Sequence, residues 1–164
     1  ADLSDNIPFD NNFFDLVIAN ELIEHLTDPD KFLEEVKRII KPGGLVLITT
    51  PNLSFWLNRI LFLFGLYPLF LEASSKKKVG LGKLGKFAYD SQVVGHIRVF
   101  NIAAITDLLE FNNFQIEKII GFPIELISPK SITLTKIYSF CDKLFSKFPT
   151  LSSNLIIIAK KKND

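Results

Sequence analysis

Cysteine is nearly missing from this chain: Cys141 stands alone among 164 residues. A single thiol excludes an internal disulfide and any metal site built on cysteines, and it fits a reducing compartment. An excess of one charge is missing too. The 19 basic and 18 acidic residues leave a formal +1, so no global field draws the chain to nucleic acid or acidic substrates. Methionine is absent altogether, and a chain that opens at Ala1 is expected to be processed or partial. Its first residues, "ADLSDNIPFD", have neither the basic nor the apolar region of a signal peptide. The most apolar stretch, Ile60 to Leu71 ("ILFLFGLYPLFL"), contains Gly65 and Pro68. It falls short of the ~20 apolar residues that a membrane-spanning helix needs.

What is present is core-forming material, with 48% hydrophobic residues. "IPFDNN" (residues 7–12) reads as a turn-rich loop. "FFDLVIA" (13–19) turns continuously apolar after Asp15, as a strand covered on both faces does. Asp28 and Pro29 suit the cap and first position of a helix, whose apolar stripe is Phe32, Leu33, Val36, Ile39 and Ile40. Pro42 stops it, with Gly43 or Gly44 expected to close it in the left-handed conformation. "LVLITT" (45–50) is the next buried strand, which completes a βαβ unit. After an irregular insertion, Asn101 caps a helix through Phe111. "FQIEKIIGF" (114–122) is a strand, Ile132 to Phe148 has helical spacing, and "NLIIIA" (154–159) is a last strand. Lys160 to Lys162 read as a solvated tail. The order β-α-β, insertion, α-β-α-β gives an α/β domain.

In open α/β sheets, ligands bind beyond the carboxyl ends of the strands. Asn20-Glu21 and Thr50-Pro51-Asn52 fall there, with Asp2 beside the first loop. Short polar side chains at strand ends also serve as caps and turn formers, and spacing alone leaves both readings open.

The ordered series Asp2, "IPF" (7–9), "FDLV" (14–17), "IEHL" (23–26) and "RIIKPGG" (38–44) resembles class I S-adenosylmethionine-dependent methyltransferases. The likeness is closest to the subgroup that includes the ubiquinone-biosynthesis type. It is dense over residues 1–52 and looser through "GHIRVFN" (95–101) and "NNFQIEKIIGF" (112–122). It implies the C-terminal part of a Rossmann-like fold: a mostly parallel sheet with an antiparallel last strand, plus a lid insertion. Residues 1–52 would be a partial cofactor-binding core, 53–98 an apolar lid and 99–164 the helix–strand–helix–strand part that completes the sheet. The family's glycine-rich cofactor turn has no counterpart here. The glycines at 80, 82 and 85 do not replace it, since no strand precedes them. A fragment lacking that half is therefore expected.

The resemblance implies S-adenosylmethionine as cofactor. Asp2 would accept from the adenine amino group and Leu3 would offer its amide. Asn20 and Glu21 would stand near the sulfonium, where carboxylates and carbonyls suit a positive charge. His25 and His96, the only histidines, are the candidates for proton removal, because histidine titrates near neutrality. His96 is preferred, since it lies where the insertion returns. Asn52 and Arg98 are candidate substrate contacts, and no metal site is read. The acceptor would be a small molecule or a lipid- or glycan-linked compound, with no nucleic acid. The apolar segment, Arg59 and Lys76 to Lys78 would suit contact of 54–78 with a membrane surface, or cover a dimer partner. A cytoplasmic protein, free or peripheral to the membrane, fits these features. The alternative is a non-catalytic fragment or pseudoenzyme subunit that acts as an interaction module.

Overall fold

The computed structural model describes residues 7–83, 93–124 and 132–162. Along them run β1 (Phe14–Asn20), a single 3-10 turn (Ile23–His25), α1 (Pro29–Ile39), β2 (Ile40–Pro51) and α2 (Trp56–Leu63). Then come α3 (Ile102–Phe111), β3 (Phe114–Phe122), α4 (Ile132–Phe145) and β4 (Asn154–Lys161). Asp2, Leu3 and Gly85 lie outside the described residues.

The strands form one sheet in the order β1-β2-β4-β3. β1 and β2 are parallel, while β4 runs antiparallel to both of its neighbours. So β1, β2 and β3 share one direction and the last strand alone opposes them, as expected for this architecture. Val46 and Ile48 of β2 and Leu155, Ile157 and Ala159 of β4 line one face. Against that face sit Phe32, Leu33 and Val36 of α1 and Ile105 and Leu109 of α3. The opposite face is more open on β1, where Leu16 is 47% and Ile18 61% exposed.

The caps follow from the sequence. Asp28 Oδ1 accepts from Lys31 N at 3.0 Å, and Asn101 Oδ1 accepts from Ala104 N at 2.8 Å. The Pro-Gly-Gly stretch behaves differently from its expected role. Ile40 already ends α1 in the extended conformation and begins β2. Gly43, at φ +75°, lies inside β2, where residues 41–44 bulge between the Phe14–Ile40 and Leu16–Leu45 pairings. At Gly44, a Cβ would fall 2.6 Å from Ile40 Cγ2 and 3.1 Å from Asp15 O. The glycines therefore let two strands close around a bulge; they do not cap a helix.

The tail reading also changes. Lys160 and Lys161 belong to β4, and Lys161 Nζ donates to Asn12 Oδ1 and Ile40 O. At the amino end of β1, Arg38 donates to Ile7 O, Phe9 O and both Glu35 oxygens. That guanidinium holds the Glu35 carboxyl below its usual range. At the other end of the sheet, α2 meets α4, with Trp56 5.9 Å from Tyr138 and 5.5 Å from Phe145 between ring centroids. Among the described residues, no helix is long and apolar enough to cross a membrane.

Candidate functional site

The carboxyl ends of β1 and β2 build the site. Asn20 closes β1, and the chain turns sharply at Glu21, which takes a positive φ of 47°. Such a conformation is strained for a residue with a side chain and marks positions held by their surroundings. Thr49 does the holding. Its Oγ1 accepts from Glu21 N at 2.9 Å and donates to Asn20 Oδ1 at 2.9 Å. The strand-end polar residues thus brace one another across the parallel pair.

The 3-10 turn then presents Glu24 and His25. Glu24 is fully buried, and Thr50 Oγ1 donates to its Oε2 at 3.1 Å. Its backbone carbonyl accepts from Ile97 N at 2.9 Å and Arg98 N at 3.1 Å. Those bonds pin the end of the insertion onto the turn and bring His96 beside His25, with ring centroids 4.9 Å apart. Glu72 supplies a second clamp: its carboxylate accepts from the amides of Val94 and Gly95 at 2.8 Å and of His96 at 3.1 Å. Gly95 itself adopts φ +87°, a conformation that favours glycine, and its carbonyl lies 3.0 Å from His25 Nδ1.

The titrations follow from burial. Desolvation pushes the Glu21 carboxyl up, and the neighbouring Glu24 charge adds to the rise. Desolvation likewise raises Glu24, opposed by hydrogen bonds from backbone and Thr50. His96 is pushed down from its ordinary value, mainly by burial, despite its hydrogen bond with Phe70 O. A half-buried imidazole beside two carboxyls can accept a proton or hold a cation. Glu24, His25 and His96 each offer a ligand atom for one.

The other two sequence candidates are committed elsewhere. Asn52 is fully buried and donates to Pro149 O and Ser152 O, while its Oδ1 accepts from Ser54 N. Arg98 donates to Leu26 O and, at 2.8 Å, to Thr27 O, which fixes the chain leaving the turn. Sequence reasoning placed Thr50 at this strand end but missed Glu24, Glu72 and Thr49. Glu72 did carry a signal: it is the only acid between Ser54 and Tyr89. A groove of about 760 Å³ lined by Ile7, Asp10 and Arg38, among others, lies at the amino end of β1, a strand's length from this chemistry.

The chain belongs to the methyltransferase-domain family, whose model matches residues 2–119. It is 30% identical over 115 residues to a Mycolicibacterium smegmatis protein described as a probable S-adenosylmethionine-dependent methyltransferase, covering 70% of this chain and 34% of that one. It is 44% identical over 52 residues to a ubiquinone biosynthesis O-methyltransferase of Rhodopseudomonas palustris, 32% of this chain and 20% of that one. A crystal structure of an S-adenosylmethionine-dependent methyltransferase from Thermotoga maritima superposes with a TM-score of 0.59 at 18% identity. That match covers 97% of this chain and 61% of that one, and it shows the shared fold. The chain thus spans about a third of the length of the first of these relatives.

Proposed function

We propose that this chain supplies the acceptor-facing part of an S-adenosylmethionine-dependent methyltransferase acting on an apolar hydroxyl compound. The observation that carries the reading is the meeting of Asn20-Glu21, Glu24, His25 and His96 at the carboxyl ends of β1 and β2. Asp2 and Leu3 would hold the adenine, and Asn20 and Glu21 would stand near the sulfonium. In the transfer, the sulfur–methyl bond breaks as the acceptor oxygen bonds to the methyl carbon, and the hydroxyl proton leaves. The chemistry asks for alignment and water exclusion more than for covalent help. Glu24 O, Glu72 and Gly95 fix the imidazoles where that proton would leave. Asn52 and Arg98, through their backbone partners, would brace the segments beside this site without touching the acceptor.

Calorimetric titration of S-adenosylmethionine into residues 1–164 and into the full coding product tests the reading. Micromolar binding is expected only for the full product; no binding by either would favour the interaction-module alternative. The second arm follows labelled methyl into an organic-extractable product.

An apolar, membrane-associated acceptor is favoured by the lid. Leu63 is 81% and Phe64 73% exposed at the end of α2, and Lys76 to Lys78 follow close by in the chain. Apolar residues with basic neighbours suit an anionic interface, where each basic residue contributes about 1 kcal/mol. The full product is expected to float with phosphatidylglycerol-containing liposomes, and the triple change Lys76→Glu, Lys77→Glu, Lys78→Glu should release it. Failure of the unaltered protein to float would leave α2 as a pocket lid or a dimer contact.

A further inference from the structure

Helix α4 carries apolar residues on two sides, and the fold uses one of them. Toward α2, Tyr138 and Phe145 pack on Trp56, and Asp142 accepts from its indole. On the other side Ile137, Phe140 and Leu144 are exposed, Phe140 by 70%, and so is Phe148 just past the helix. Ile137, Phe140 and Leu144 recur at spacings of three and four, so they line one stripe along α4. Single exposed apolar residues are ordinary, whereas a contiguous exposed stripe marks an interaction surface.

The charges beside the stripe have one sign. Lys136, Lys143 and Lys147 are exposed, and Lys136 and Lys143, seven residues apart, fall on the same flank of the helix. Between Ile132 and Thr150 the sole acid is Asp142, which is buried and turned toward Trp56. None of the three ammonium groups is ion-paired or hydrogen-bonded among the described residues. A chain whose charges balance to +1 thus gathers unpaired positive charge along one apolar helix face. That charge selects the occupant. A second copy docked on the stripe by two-fold symmetry would bring the same lysines together. An anionic lipid surface meets both needs: its acyl boundary takes the stripe, and the lysines reach headgroups along their own methylenes.

We propose that α4 is an interfacial helix that lies on an anionic lipid surface through Ile137, Phe140, Leu144 and Phe148, with Lys136, Lys143 and Lys147 at the headgroups. Its 14 residues are too few to cross a bilayer and enough to lie along one. Trp56 and Asp142 hold the inner side of the helix against α2, so the outer side can enter the lipid without unpacking the core. The proposal extends the membrane-surface reading of α2 to a second, separate element, and rests on that reading only for the kind of surface.

The test mixes the full coding product with vesicles of phosphatidylcholine alone, or of phosphatidylcholine and phosphatidylglycerol in equal parts, and reads partitioning by co-sedimentation across a salt series. Partitioning is expected with the anionic vesicles only, and it should weaken as salt rises. Lys136→Gln, Lys143→Gln and Lys147→Gln together should lower it roughly 100-fold. Phe140→Ser with Leu144→Ser should lower it at least ~10-fold, with the thermal midpoint unchanged because neither side chain belongs to the core. Both variants keep Lys76 to Lys78, so they read α4, while the Lys76–Lys78 variant read in parallel reports on the lid. Partitioning that neither α4 variant changes would overturn the proposal, whether or not the lid variant loses binding. No partitioning of the unaltered protein would overturn it too, and the S-adenosylmethionine titration of the same samples reads the methyltransferase proposal separately. A dimer in sedimentation equilibrium that Phe140→Ser with Leu144→Ser dissociates would give the stripe to a second copy and also overturn it.

Discussion

Replacing Asp142 with alanine is expected to destabilise the protein by about 2–3 kcal/mol, the scale of removing hydrogen bonds to a buried charged group and orphaning a donor. The Asp142 side chain is buried, and three donors converge on it. Trp56 Nε1 donates to Oδ1 at 3.1 Å, while Ile124 N and Ser153 Oγ donate to Oδ2 at 2.9 and 3.1 Å. This carboxylate therefore joins α2, the start of the segment leading into α4, and the turn before β4. Alanine would remove the acceptor and leave the donors in place; Ile124 N keeps Ser153 Oγ at 2.8 Å and Ser153 Oγ keeps Phe122 O at 3.2 Å, while the indole loses its acceptor. An unsatisfied buried donor costs roughly 1–3 kcal/mol, so the indole accounts for most of the loss. Nearby, burial and Asp142 together push the Tyr138 hydroxyl well above its usual range, which marks how dry this joint is. Thermal unfolding checks the expectation. At about 2–4 °C per kcal/mol for a domain of this size, the midpoint should fall by roughly 4–12 °C. Asp142→Asn, which keeps one acceptor oxygen, should fall by less. A change within about 2 °C for alanine would show that water replaces the carboxylate.

Glu72→Ala should have the largest effect on turnover. One carboxylate accepts from three consecutive amides, Val94, Gly95 and His96, and so ends the insertion in a fixed loop. Without it, the loop retains Ile97 and Arg98 on Glu24 O but loses the clamp that orients His96. Glu72 touches no reacting atom in this scheme and acts as a positioning residue. A displacement of about 1 Å at a reacting group is worth roughly 100-fold in rate, and methyl transfer by the full product should fall by about that factor. S-adenosylmethionine affinity should be unchanged, which separates loop release from general unfolding. Hydrogen exchange at the 94–96 amides should rise in parallel, and Glu72→Gln should lie between the two. Unchanged exchange at those amides would show that Glu72 does not hold the loop.

Much of the frame was legible from local chemistry. The periodicity of Phe32, Leu33, Val36 and Ile39, with Asp28 and Pro29 ahead of it, located α1 because capping and amphipathicity are written within one helix. The apolar runs located β1, β3 and β4 to within two residues; for β2 the run predicts a start at Leu45, while the strand begins five residues earlier at Ile40. The misreadings share one physical cause. Gly43 was expected to cap a helix, but pairing of Ile40 with Phe14 won over local turn preference. Lys161 was read as tail, but β3 on one side extends the ladder to it, and Asn12 and Ile40 O receive its ammonium. Asn52 looked like a ligand-facing tip, and its partners instead lie about 100 residues away in the turn before β4.

By itself, the sequence determined the α/β order, the family, and the placement of Asn20-Glu21 at a strand's carboxyl end. These depend on motifs and spacings within a few dozen residues. Only the tertiary structure decided which polar groups share a site. Glu24 lies 72 residues before His96 and 48 before Glu72 in the chain, and nothing local couples them. They meet because β1 and β2 pair in parallel, the turn after β1 offers Glu24 O to Ile97 and Arg98, and Glu72 gathers the amides before them. Hydrogen bonds between distant segments set that geometry, and a burial pattern along the chain does not encode which distant acceptor a given amide will find.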